Sequence, residues 1–137
     1  MTAVIRLPVA PRPFRGELLS SWMVRVASRY GLEVPEVTTH LVGQEGSAPD
    51  LRKIDDISPD RGLLRLWARG CRIDSARLER LSLKSRYPER PQDWFFEGAG
   101  GIVPACLACF NADFAAGRDA YVRAEWRLAE RVVCPAH

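Results

Sequence analysis

Long apolar runs are missing from this chain of 137 residues. No stretch approaches the ~18–20 residues that a bilayer-spanning helix needs. The start, Met1-Thr-Ala-Val-Ile-Arg6-Leu-Pro8, lacks a basic segment followed by an apolar one. No signal peptide is expected, and a reducing compartment favours thiols over disulfides. A Gly-rich phosphate loop is absent, as is an HExxH pair. The acids are scattered and form no nucleophile–base grouping, so an enzyme is the weakest reading. Charge of one sign is not in great excess either, at +3 overall. The hydrophobic share of 47% and charged share of 27% suit a globular protein of one ordinary domain or two very small ones.

Cysteine and histidine are scarce, and their placement is therefore informative. Three of the 4 cysteines and one of the 2 histidines fall in Cys106-Leu-Ala-Cys109, then 24 residues, then Cys134-Pro-Ala-His137. Two pairs, each separated by two residues, offer three sulfurs and an imidazole to one metal, the donor set of a closed structural zinc site. A redox Cys-x-x-Cys does not require the second pair. An iron–sulfur site usually takes four cysteines. Catalytic zinc keeps an open position, and four protein ligands leave none. Cys71 stands apart and reads as a small core residue. His40 reads as a surface or half-buried histidine.

Residues 1–16 contain Pro8, Pro11, Pro13 and Gly16 and read as an extended arm. A helix is expected next, with Leu18, Leu19, Trp22, Met23, Val26, Ala27 and Tyr30 on its inner face. Arg25, Ser28 and Arg29 fall on its outer side, Glu17 at its N-terminal end and Gly31 at its cap. A short helix opens at Val34-Pro35 and stops at Gly43. Residues 43–53 form a polar loop. Ser58-Pro59-Asp60 predicts a third helix start with Ser58 as the cap, and Gly70 its end. Leu63, Leu64, Trp67 and Ala68 form its buried face. Asp74 caps a fourth helix, with Ile73 and Leu78 as a hydrophobic staple. Pro88, Pro91 and Pro104, the cluster Trp94-Phe95-Phe96, and Gly98, Gly100 and Gly101 suggest a linker that docks its aromatics. Between the ligand pairs, Asp119 is expected to cap a helix holding Tyr121, Val122, Glu125, Trp126 and Leu128. Arg131-Val132-Val133 reads as a short strand.

The cations are concentrated. Residues 61–86 hold eight of them against Asp74 and Glu79, a local +6 that leaves −3 for the rest of the chain. Such a segment is the usual footprint for phosphate partners, although a solvated arginine-rich surface looks the same on charge alone. Helix, glycine-containing turn and second capped helix resemble a helix-turn-helix. Arg65, Arg69, Arg72, Arg77, Arg80 and Lys84 are the candidate DNA contacts.

Three blocks carry a family resemblance. Pro11-Arg-Pro13-Phe-Arg-Gly16-Glu17-Leu-Leu-Ser-Ser21-Trp22-Met-Val-Arg25-Val-Ala27 is similar to an opening P-x-P-x-x-GEsL-SWl-R-A. Leu81-Ser-Leu83 is similar to a recurrent LTL. Cys106-Leu-Ala-Cys109-Phe-Asn-Ala-Asp113, Tyr121-Val-Arg123-Ala-Glu-Trp126-Arg-Leu128 and Val133-Cys134-Pro-Ala-His137 resemble CPxCLxxD, YxRxxWxL and vCPxH. Together they resemble the TniQ family, with Leu107 where the family has proline. The resemblance implies a non-catalytic part in bacterial DNA transposition, in the cytoplasm. Its implied partners are DNA, a target-recognition factor or complex, and an AAA+ ATPase transposition regulator. No membrane and no small-molecule substrate is expected.

The expected architecture is mainly α: a helix-turn-helix-like domain with its arm over residues 1–95, then a small zinc-finger module, α with short β, over 96–137. The expected metal ligands are Cys106, Cys109, Cys134 and His137 for a structural Zn2+, with Trp126 and Tyr121 supporting them. The alternatives are a zinc-containing helix-turn-helix transcriptional regulator and a protein-only docking module.

Overall fold

A computed structural model describes residues 6–43, 54–96, 104–130 and 133–137. Six α-helices account for most of its regular structure, so the mainly helical class holds. They are α1 (Leu19–Ser28), α2 (Val34–Val42), α3 (Arg61–Cys71), α4 (Ser75–Glu79), α5 (Leu83–Arg86) and α6 (Leu107–Ala115). Among the described residues two 3₁₀ turns, Gln92–Trp94 and Ala124–Arg127, accompany them. The β structure among the described residues consists of two isolated antiparallel bridges, Glu17 with Arg123 and Phe95 with Leu128.

The main core lies between α1, α2, α3 and α4. Trp22 and Trp67 are fully buried and meet edge-on, ring centroids 5.8 Å apart. The Trp67 indole N–H donates to Thr38 Oγ1 at 2.9 Å, and that hydroxyl donates to the Val34 carbonyl. The buried donor is thus satisfied within the core. The arm lies across these helices rather than away from them. Leu7 N–H donates to the Gly70 carbonyl, Val9 pairs with the Tyr30 hydroxyl, and Trp22 Nε1 donates to the Pro11 carbonyl.

Several helix ends differ from expectation. The cap of α3 is Asp60, which accepts from Leu63 N–H at 2.9 Å, and not Ser58. Gly70 lies inside α3. A side chain there would place its Cβ 2.3 Å from Leu41 Cδ2, so the glycine permits close packing of α2 on α3. Arg72 takes the left-handed cap instead, at φ 57°. Asp74 caps α4 as expected, through Ala76 N–H. That helix ends at Glu79, and Lys84 belongs to a separate helix capped by Ser82. The largest difference is Arg25. It is buried beside Glu17, not outward-facing, and the two form a bidentate pair at 2.8 and 2.9 Å.

A second apolar cluster joins the two halves of the chain: Leu18, Ile57, Leu83, Phe95, Ala124 and Leu128. Backbone bonds reinforce it, from Leu18 N to Val122 O and Ala124 N to Gly16 O on one side. On the other, Phe96 N donates to Arg127 O and Ala129 N to Trp94 O. Of the three expected docking aromatics only Phe95 is buried, while Trp94 and Phe96 are exposed and Arg90 lies over the Trp94 ring. The expected polar loop beyond residue 43, Gly98, Gly100 and Gly101, and Arg131 and Val132 of the expected strand lie outside the described residues.

Candidate metal centre

The site begins at a knuckle that becomes a helix. Cys106 is the N-cap of α6, and its Sγ accepts from Cys109 N–H at 3.4 Å. The spacing of three therefore aims both sulfurs the same way. Cys134-Pro-Ala-His137 makes the facing turn, closed by a bond from His137 N–H to the Cys134 carbonyl. Each of the four residues offers one ligand atom, and these atoms all lie within 4.8 Å of one another. Cys109 Sγ is 3.6 Å from Cys134 Sγ and 3.4 Å from His137 Nδ1. His137 Nδ1 is 3.6 Å from Cys106 Sγ and 3.9 Å from Cys134 Sγ.

The four separations of 3.4–3.9 Å fit one ion, and no pair of ligand atoms is more than 4.8 Å apart. A tetrahedron with Zn–S near 2.3 Å and Zn–N near 2.0 Å has edges of about 3.5–3.8 Å. Thiolate and imidazole are also the donors a borderline-soft ion prefers. Without the ion the sulfurs are in conflict. Burial, with the neighbouring Cys134 and Cys106 sulfurs, pushes the Cys109 thiol up to about 12. The His137 ring and the Ala136 N–H pull Cys134 down to about 6. A divalent cation removes that conflict by stabilising all three as thiolates.

A polar hub supports the cluster from α6. Asp113 is fully buried and accepts from Arg118 Nε at 2.9 Å, and from Arg123 Nη1 and Nη2 at 2.6 and 2.8 Å. Burial pushes its carboxyl up, but bonds from Arg123 and Arg118 outweigh this and leave its pKa lowered. The Arg123 guanidinium also lies over the Tyr121 ring, at 3.7 Å, and over that of Trp126, at 5.3 Å. Trp126 meets Phe110 edge-on, next to Cys109 in sequence. The Trp126 indole N–H has no hydrogen-bond partner among the described residues.

Residues 8–137, nearly the whole chain, match the TniQ family. The chain belongs to the TniQ family. Membership supports a transposition-associated role. No curated protein and no solved structure gave a match. For this TniQ-family chain, the Cys/His cluster at the end of the matched region is a place that could hold a metal ion. Among the described residues no helix is long and apolar enough to cross a membrane.

Several expected placements around the site change. The Asp119-capped helix is absent. Tyr121 and Val122 are not helical, Arg123 is extended and Ala124–Arg127 is a 3₁₀ turn, because this stretch bonds to Gly16 and Leu18. Asp119 serves as an acceptor for Arg25 at 3.1 Å and Arg29 at 2.7 Å. Tyr121 packs on Phe14, with centroids 4.5 Å apart. The Arg123–Asp113 pair spans ten residues and leaves no local signal in the sequence. The basic candidates divide into two groups. Arg65, Arg69 and Arg72 line one cleft, with Arg6, while Arg77, Arg80 and Lys84 are exposed outside it.

Proposed function

We propose that this TniQ-family protein is a non-catalytic adaptor in DNA transposition. In this reading it joins a target-recognition factor to an AAA+ transposition regulator in the bacterial cytoplasm. Cys106, Cys109, Cys134 and His137 hold a structural Zn2+. The convergence of these four donors carries the reading, because four protein ligands occupy every position of a tetrahedral zinc. The ion then supplies cross-linking and charge neutralisation rather than an open site for a substrate. Residues 1–95 and 96–137 act as a helical unit and a zinc-dependent unit, docked through the second apolar cluster. The basic surface of α3, α4 and α5 contacts DNA through members of the set Arg65, Arg69, Arg72, Arg77, Arg80 and Lys84.

Reconstitution tests the role. The zinc-loaded chain is mixed with the transposase, the AAA+ ATPase and the targeting factor encoded beside it, and insertion is mapped. Targeted insertion that needs this chain, with direct retention of the ATPase, is the expected result. Targeted insertion at an unchanged rate without the chain would remove the proposal. Retention of the ATPase with no DNA binding at low salt would select the protein-only docking module. A dimer bound to a palindromic operator would select the transcriptional regulator.

A further inference from the structure

The basic segment is not a uniform surface. A cleft of about 460 Å3 is lined by Arg6, Arg65, Ala68, Arg69, Arg72, Ile73 and Ser75. Its four guanidinium groups come from three places: Arg6 from the arm, Arg65 and Arg69 from successive turns of α3, and Arg72 from the turn into α4. No acid lines it. Among the described residues none of the four arginines has an ion pair or a side-chain hydrogen bond. By contrast Arg61 faces Glu79 at 3.8 Å, and Arg80 Nε donates to the Ala76 carbonyl. Arg6 is held beside the cleft because its neighbour Leu7 is buried and bonded to Gly70.

Arg72 adds a second, independent observation. Among the described residues it alone, apart from glycines, has a positive φ. That conformation favours glycine, and the capping bonds from Arg72 N–H to the Ala68 and Arg69 carbonyls use only backbone. An arginine here bears local strain without a role in the cap. Complementing the negative end of α3 accounts for Arg69 and Arg72. It accounts for neither Arg6 nor Arg65.

We propose that this cleft seats backbone phosphates of double-stranded DNA, without reading base sequence. The proposal rests on the DNA-contact part of the function proposed above and narrows it to these four arginines and Ser75. The shortness of α4, five residues and roughly 7–8 Å, argues against base readout in the major groove. Arg65 and Arg69 stand one helical turn apart, a step suited to successive backbone phosphates. The cleft is open and much larger than one anion, as a passing strand requires.

The test uses the zinc-loaded full chain and fluorescein-labelled duplexes of unrelated sequence, with anisotropy read from about 50 to 200 mM salt. Similar affinity for all duplexes is expected. Arg69→Ala and Arg72→Gly are each expected to weaken binding about threefold to tenfold and to reduce the log–log salt slope by about one. Arg72→Gly is also expected to raise the melting temperature by about 2–4 °C, because glycine relieves the backbone strain. The two readouts then move in opposite directions, which a structural role for Arg72 does not produce. A lowered melting temperature for Arg72→Gly overturns its assignment. Wild-type binding by both variants, with loss in the Arg77→Ala/Arg80→Ala/Lys84→Ala protein, overturns the cleft and leaves the DNA-contact reading standing. No duplex binding by the wild-type chain at the lowest salt overturns both. Displacement of the duplex by inorganic phosphate at matched ionic strength marks a free-anion seat and overturns the proposal, as does tighter binding of RNA through the same arginines.

Discussion

Replacing Arg25 with methionine tests the most exposed assumption of the fold, that an ion pair is buried where two halves of the chain meet. Arg25 is 7% exposed and Glu17 0%. The guanidinium makes two bonds to Glu17, one to the Arg12 carbonyl and one to Asp119, and lies 4.1 Å over the Phe14 ring. Methionine keeps much of the stem's packing and deletes the charge. Among the described residues Glu17 then retains Phe14 N–H and the Ser21 hydroxyl as donors. Breaking a buried pair from one side costs about 3–5 kcal/mol, a fifth or more of a typical domain's ~5–15 kcal/mol. The Asp119 arm adds little, since that carboxylate is partly exposed and keeps Arg29. Urea unfolding of the zinc-loaded chain, followed by tryptophan fluorescence, measures the loss. Glu17→Gln combined with Arg25→Met is expected to cost less than the sum of the single changes, with a coupling of about 1–3 kcal/mol. A loss below ~1 kcal/mol for Arg25→Met, the value of a surface pair, would refute the reasoning.

Other outcomes follow from the site. Asp113→Asn is expected to destabilise the C-terminal segment. Because the folded pKa of Asp113 is lowered, its stabilisation is complete above the unfolded value of ~3.9 and is lost only as pH falls through the folded one. The drop in melting temperature caused by Asp113→Asn therefore stays constant from about pH 8 to 5; a drop that shrinks within that window contradicts the assignment. Chelation is expected to expose three cysteines to alkylation and to spare Cys71, which is buried, with its thiol pushed up to about 12. Mass spectrometry of the alkylated peptides checks this, and early labelling of Cys71 counts against it. Near-UV circular dichroism of Trp126 is expected to collapse on metal removal while the far-UV helical signal of α1–α3 persists. Loss of both signals together would contradict separate folding units.

Local signals in the sequence were legible, and long-range polar pairing was not. The apolar stripe of α1, the inner face of α3 and the Asp74 cap follow from spacing alone, because each depends on residues within one or two helical turns. The Cys106–Cys109 and Cys134–His137 pairs are legible for the same reason, and scarcity makes them stand out. The helical pattern points Arg25 to solvent, where a charge on an amphipathic helix normally belongs. Glu17, held two turns away by the start of α1, offsets most of its desolvation, with Asp119 and the Arg12 carbonyl as further acceptors. The segment 119–128 has apolar residues four apart at Val122 and Trp126, which suits a helix. Its backbone instead bonds to Gly16 and Leu18, partners more than a hundred positions distant. Gly70 carried a stop signal that the approach of Leu41 converts into a packing requirement.

Metal content is the most direct measure of the central claim. Elemental analysis of the purified chain, with X-ray absorption at the zinc edge, is predicted to give one zinc per chain with three sulfur neighbours near 2.3 Å and one nitrogen near 2.0 Å. Cys109→Ser or Cys134→Ser is predicted to lower the content well below one. A wild-type chain that carries no metal after preparation without chelators, yet keeps its near-UV Trp126 signal and melts cooperatively, would contradict the account.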